Sequence, residues 1–268
     1  MTVVDIAVAQ FAPGTDKAEN LRSIAKFTAE AAASNARVLA FPEYSMFTVP
    51  VMDNRFVESA EGLDGPFVTG LREIAVQHGM HLVAGINEAI AGENRIFNTL
   101  VAVSPAGEIE ARYRKLHLYD AFGYKESDMV KPGSVEKPET FVVDGITFGM
   151  QTCYDLRFPE VTRRIVDAGG DVLLLPAEWV PGPLKEDHWT TLVRARAIEN
   201  TIYVAAADQS APAGSGASAI IDPMGLVLAS LGERVGTVTA KVDPERITEV
   251  RAKNPALSLR RFTIAPNG

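Results

Sequence analysis

The chain holds a single cysteine, Cys153, in 268 residues. An intrachain disulfide is therefore excluded, and a reducing compartment suits the composition. Histidine is scarce as well, with four in all, no HExxH run and no pair at ligand spacing. That argues against metal hydrolysis, and no metal or other cofactor is expected. No apolar run reaches the roughly eighteen residues a membrane-spanning helix needs. The start, Met1 to Asp5, lacks a basic segment followed by an apolar one. No secretory leader is expected, and the cytoplasm is the default compartment. Basic runs are missing too: the formal net charge is −8, and Arg163-Arg164 and Arg260-Arg261 are isolated pairs. Such pairs read as solvated surface or local ion pairs, and a nucleic-acid partner is not expected.

What is present is ordinary globular material, 47% hydrophobic and 22% charged. It suffices for one large core or two small ones. Strands and helices alternate along the chain, which predicts an α/β fold. In the first half, strands are read at 6–11 and 37–41, helices at 18–33 and 67–78, then strands at 81–87 and 98–103. The second half repeats the order: strand 148–153, helix 159–168, strand 172–175, helix 187–199, strand 202–207, then 218–221 and 226–229. Val38-Leu39-Ala40-Phe41-Pro42 echoes Val172 to Pro176, and Ser104-Pro105-Ala106-Gly107 echoes Asp222-Pro223-Met224-Gly225. These echoes predict two similar halves related by a pseudo-twofold, which could pack sheet on sheet as a four-layer α-β-β-α sandwich. Asp120 to Glu139 fits neither period; a polar loop of this length is usually functional or disordered.

Glu43, Cys153 and Glu178 end predicted strands or lie just beyond them. In open α/β sheets, ligands gather at the carboxyl ends of strands. A lone cysteine is ordinarily a small buried hydrophobe. Cys153, however, precedes a tight turn and a helix opening at Pro159-Glu160, and a helix N-terminus favours a thiolate. Lys115 ends the strand after the first Pro-Gly turn. A lysine there is usually solvated; beside a thiolate it would stabilise both that anion and an oxyanion.

Phe41-Pro42-Glu43, Tyr113-Arg114-Lys115-Leu116-His117-Leu118 and Cys153-Tyr154-Asp155-Leu156-Arg157-Phe158-Pro159-Glu160 resemble the three signatures of the nitrilase superfamily of carbon–nitrogen hydrolases, in the same order. The resemblance covers nearly the whole chain. It implies one domain over residues 1–268, the four-layer sandwich, and a homodimer or larger assembly. From Asn254 onward, a tail would either pack at a subunit interface or fray. Cys153 would attack an amide carbonyl and Glu43 would serve as base, if burial raises its pKa towards neutrality. Lys115 and the Tyr154 backbone N–H would hold the oxyanion. Glu126 matches a second glutamate of the family's loop, which positions substrate and lysine; a solvated loop carboxylate is the alternative.

The Cys-Tyr-Asp-Leu-Arg-Phe-Pro-Glu stretch resembles the Nit-type amidase branch, which includes ω-amidase and deaminated-glutathione amidase. A small linear amide is the implied substrate; nitriles and N-carbamoyl compounds are the alternatives. Arg157 could bind a substrate carboxylate, or pair with Asp155 or Glu160. Glu178-Trp179 could shape the pocket, with Tyr154 beside it. The family commonly has a small polar segment at Glu178-Trp179, and an acidic residue there would repel an acidic substrate. Two other readings stand: a Cys–His hydrolase using His117 or His188, and a non-catalytic binding protein of the same fold.

Overall fold

The computed structural model describes residues 2–266. The first half of the chain runs β1 (Val4–Gln10), α1 (Lys17–Ala33), β2 (Val38–Ala40), α2 (Arg55–Glu58), α3 (Pro66–His78), β3 (His81–Ala89), β4 (Ile96–Val103) and β5 (Ile109–Arg114). The second runs β6 (Thr140–Val143), β7 (Ile146–Met150), α4 (Pro159–Asp167), β8 (Val172–Ala177), α5 (Lys185–Asn200), β9 (Tyr203–Asp208), β10 (Ala219–Ile221) and β11 (Val227–Ser230). β12 (Gly236–Val242) and α6 (Pro244–Lys253) follow.

The strands form two six-stranded sheets, ordered β12-β1-β2-β3-β4-β5 and β11-β10-β9-β8-β7-β6. β1-β2-β3 and β7-β8-β9 are parallel, and in each sheet the two strands that follow are antiparallel. β12 pairs with β1 in the place that β6 takes beside β7. The pseudo-twofold therefore holds down to local irregularities: the register shifts at Ala102/Val103 in one half and at Ile220/Ile221 in the other. Both shifts adjoin the Pro-Gly turns that the sequence repeats.

Side-chain alternation builds the layers. Val38 and Ala40 face the inter-sheet core, which also holds Val172 and Leu174. Leu39 points the other way, into a core with Ile24 of α1 and Leu71 of α3. Leu173 and Leu175 likewise point to a third core with Val193 of α5. A strand buried on both faces must be apolar throughout, and β2 and β8 are. Three cores between four layers give the α-β-β-α sandwich.

Helix boundaries follow local chemistry. The Asp16 side chain accepts from the Ala18 and Glu19 amides at the start of α1. α3 opens on Pro66 and closes on Gly79 at φ 60. The loop of residues 120–139 is anchored rather than free: Glu126–Asp128 form a 3-10 turn, and Val130 bridges Ile96. The sequence pattern predicts no strand at β6 or β12 and no helix at α6, all of which the structure contains. β12 is only partly buried along most of its length, so its apolar signal is weak. The tail beyond Asn254 is largely exposed, with Arg260 ion-paired to Asp167; Asn267 and Gly268 lie outside the described residues.

Candidate active site

The strand ends do converge. β2 delivers Glu43, β5 delivers Lys115, β7 delivers Cys153 and β8 delivers Glu178 to one cavity of 480 Å³. Two residues on its wall take the left-handed conformation without being glycine, Tyr44 at φ 53 and Cys153 at φ 42. Such backbone costs about 1–3 kcal/mol per residue and persists where packing overrides it. Here it turns the chain sharply, so that the side chains at the strand ends project into the cavity. Gly85 of β3 makes room for the first turn: a Cβ there would lie 2.6 Å from the Tyr44 nitrogen and 3.1 Å from the Glu43 backbone.

Lys115 is buried, and its Nζ donates to Glu43 Oε1 at 2.9 Å and to Glu126 at 2.9 and 3.1 Å. Glu43 Oε1 also accepts from Asn98 Nδ2 at 2.6 Å, and its Oε2 accepts from the Glu178 N–H at 2.7 Å. Glu126 is held by the Tyr44 hydroxyl at 2.8 Å and the Tyr119 N–H at 2.6 Å. The solvated-carboxylate alternative for Glu126 is therefore overturned. Burial alone would lower the Lys115 pKa, but Glu126 and Glu43 outweigh it and leave the ammonium well above its ordinary value.

The Cys153 thiol donates to the Glu178 carbonyl at 3.5 Å. Burial, reinforced by the Glu43 charge, pushes its pKa well up, against the pull of Lys115. The expectation of a thiolate favoured by a helix terminus is corrected here. Cys153 opens a short 3-10 turn, Cys153–Arg157, which intervenes between it and α4. Desolvation dominates, so the group rests as a thiol and needs a base.

The remaining expected residues also line this cavity. Tyr154 and Arg157 stand on its wall, and the Arg157 guanidinium lies 4.8 Å from the Trp179 ring centre. The pairing of Arg157 with Asp155 or Glu160 does not occur. Asp155 is occupied by the Tyr113 hydroxyl, the His117 N–H and His117 Nδ1, and Glu160 is exposed. Trp179 is fixed by its N–H to Asp208 at 2.7 Å and its Nε1 to the Lys185 carbonyl at 2.7 Å. Neither imidazole of the Cys–His reading bonds the thiol: His117 stacks on Phe158 at 3.7 Å, and His188 meets Arg157 at 3.3 Å.

Sequence reasoning missed Tyr44, Asn98, Tyr119, Asp208 and Lys185. Asn98 carried a signal, as a polar residue inside the apolar run of β4. Lys185 carried another: it opens α5, where the helix dipole disfavours a cation. Its Nζ donates to the Tyr119 hydroxyl at 2.6 Å.

A family model described as carbon-nitrogen hydrolase matches residues 5–252. The chain belongs to the carbon–nitrogen hydrolase family. This carbon–nitrogen hydrolase is 40% identical over 257 residues to a deaminated glutathione amidase of Escherichia coli O157:H7, covering 96% of this chain and 97% of that one. It is 31% identical over 274 residues to the omega-amidase NIT2 of Homo sapiens, covering 97% and 96%. Its fold superposes on the NitFhit protein of C. elegans with a TM-score of 0.87 at 29% identity, covering 97% of this chain and 65% of that longer one. These relatives are consistent with the Nit and omega-amidase branch of the nitrilase superfamily.

Proposed function

We propose that this carbon–nitrogen hydrolase cleaves a small linear amide bearing a carboxylate, through a thioester on Cys153. One observation carries the reading: a buried lysine bridges two glutamates beside the chain's single cysteine. A neutral thiol needs a base, and the hold of Lys115, Asn98 and the Glu178 amide on Glu43 supports that role for it. Glu43 takes the thiol proton as sulfur attacks the amide carbon, then gives it to the leaving ammonia. Water, deprotonated by Glu43, attacks the thioester, and the carboxylic acid leaves as the thiol re-forms. Lys115 stays an ammonium throughout, so it serves as an electrostatic partner of the oxyanion together with the Tyr154 N–H. Glu126 positions Lys115.

The carboxylate preference rests on Arg157 and Lys185. Both line the cavity, and among the described residues neither forms an ion pair with an acidic side chain. Arg157 Nε is buried without a partner. A buried unpaired cation is costly, and a substrate carboxylate would offset that cost. The expected repulsion by Glu178 is reduced, because burial and the Glu43 charge push its pKa up to about 8. The neutral form of the acid is thereby favoured.

Ammonia release from a panel of amides, nitriles and N-carbamoyl compounds, beside Cys153→Ala, tests the reading. Release from acid-bearing amides, abolished in the variant, supports it; release from nitriles alone, or none at all, overturns it. Cytoplasmic residence and a homodimer belong to the same proposal. For the dimer, Met224, Leu226 and Val227 are exposed apolar side chains lining one surface hollow, and Ile198 lies beside the adjoining Gly225. Light scattering of the purified protein at micromolar concentration tests that part.

A further inference from the structure

Glu178 is the cavity carboxyl that the amide chemistry leaves unused. Its backbone is committed to Glu43 and Cys153, but its side chain does something else. Oε2 accepts from the Thr48 hydroxyl and from Gln209 Nε2, each at 3.3 Å. Oε1 makes no hydrogen bond among the described residues, and the side chain stands on the cavity wall. Gln209 also donates to the Glu43 carbonyl at 2.9 Å, so the position of Oε2 is tied to the base itself.

The surroundings favour the protonated form of this carboxyl. Glu43 and Tyr44 face it from the end of β2, Glu126 from the loop and Asp208 from the end of β9. The Cys153 thiol adjoins its backbone; of the cavity's cations, Lys115 is shared between Glu43 and Glu126, while Arg157 and Lys185 stand elsewhere on the wall. Carboxyls crowded this closely do not all ionise. With Oε2 accepting from two donors, the proton has one place left, Oε1.

We propose that Glu178 is a specificity-determining residue that donates a hydrogen bond from Oε1 to an acceptor oxygen of the bound substrate. The proposal rests on the amide reading of the cavity, and it turns Glu178 from a repelling group into a recognising one. Loss of that proton reverses the effect, since an acceptor would then face an acceptor.

The test is calorimetric titration of glutaramate, an amide with a distant carboxylate, into the Cys153→Ala protein at pH 6.5 and 9.5. Binding is expected to weaken roughly tenfold between the two, the scale of one buried hydrogen bond. Adding Glu178→Gln is expected to keep the pH 6.5 affinity and abolish this weakening, because an amide both accepts and donates without titrating. That variant separates Glu178 from Lys185, whose pKa burial lowers, and from Tyr119. Adding Glu178→Leu is expected to cost roughly tenfold at pH 6.5. A leucine variant that binds like the parent overturns the proposal, as does a glutamine variant that keeps the parent's pH response. Absence of glutaramate binding in the Cys153→Ala parent overturns it too. Ammonia release by protein with intact Cys153 is read separately, so failure of the amide reading is visible on its own.

Discussion

Lys115 and Glu126 are joined by two hydrogen bonds, with Nζ at 3.1 Å from Oε1 and 2.9 Å from Oε2. A fork of this kind fixes the lysine's direction as well as its charge. Glu126 is itself clamped by Tyr44 and Tyr119, so the loop of residues 120–139 is sewn to the site at this residue. Glu126→Ala removes one counter-charge of a buried lysine. Breaking such a pair typically costs about 3–5 kcal/mol. Urea unfolding is expected to show a loss of that order. Glu126→Gln, which keeps the shape, is expected to lower kcat by roughly 100-fold with little change in KM, the scale of a misplaced oxyanion partner.

Thiol reactivity follows from the raised Cys153 pKa. At pH 7 to 8 iodoacetamide is expected to alkylate Cys153 more slowly than a free cysteine, with the rate still climbing at high pH. Lys115 pulls the thiol pKa down against burial and Glu43. Lys115→Met is therefore expected to slow alkylation further. A faster reaction in that variant would show that Lys115 does not stabilise the thiolate.

Gly85→Ala tests the close approach behind the base. The added Cβ would stand 2.6 Å from the Tyr44 nitrogen, so the Glu43–Tyr44 turn must shift. Overpacking of this kind costs about 1–3 kcal/mol. Misplacement of the base by about 1 Å is expected to lower kcat on the order of 100-fold. Thermal unfolding and steady-state kinetics read the two effects separately.

Glu178 also gives a stability signature. Its folded pKa is raised from 4.5 to about 8, so the folded state holds more protons than the unfolded state between those values. This contribution is fully present below about pH 4.5 and is lost as pH rises through about 8. Urea unfolding of the parent, compared with Glu178→Gln, is expected to lose a difference on the order of a few kcal/mol between pH 5 and 9. The same direction holds for Asp208, raised by burial, so the difference between the two proteins isolates Glu178.

Arg157→Leu distinguishes acid-bearing from neutral substrates. For an amide with a distant carboxylate, KM is expected to rise roughly tenfold or more, the scale of a charge-assisted hydrogen bond. For a neutral aliphatic amide, KM is expected to stay within about twofold. Equal effects on both would assign Arg157 to packing against Trp179 instead.

The sequence by itself determined what is local. Apolar runs and Pro-Gly turns marked most of the strands along the chain, because each depends on a few neighbouring residues. The repeated Ser104 to Gly107 and Asp222 to Gly225 turns gave the two halves, and the short motifs marked Glu43, Lys115 and Cys153. Only the tertiary structure decided what depends on distant partners. β12 had to cross back to β1 to complete the first sheet, a pairing no local period encodes. The grip of Tyr44 on Glu126 and of Asn98 on Glu43 joins separate elements. The upward pKa shifts of Cys153 and Glu178 were decided there too. Both follow from burial and neighbouring charge, and these exist only once the strand ends have met.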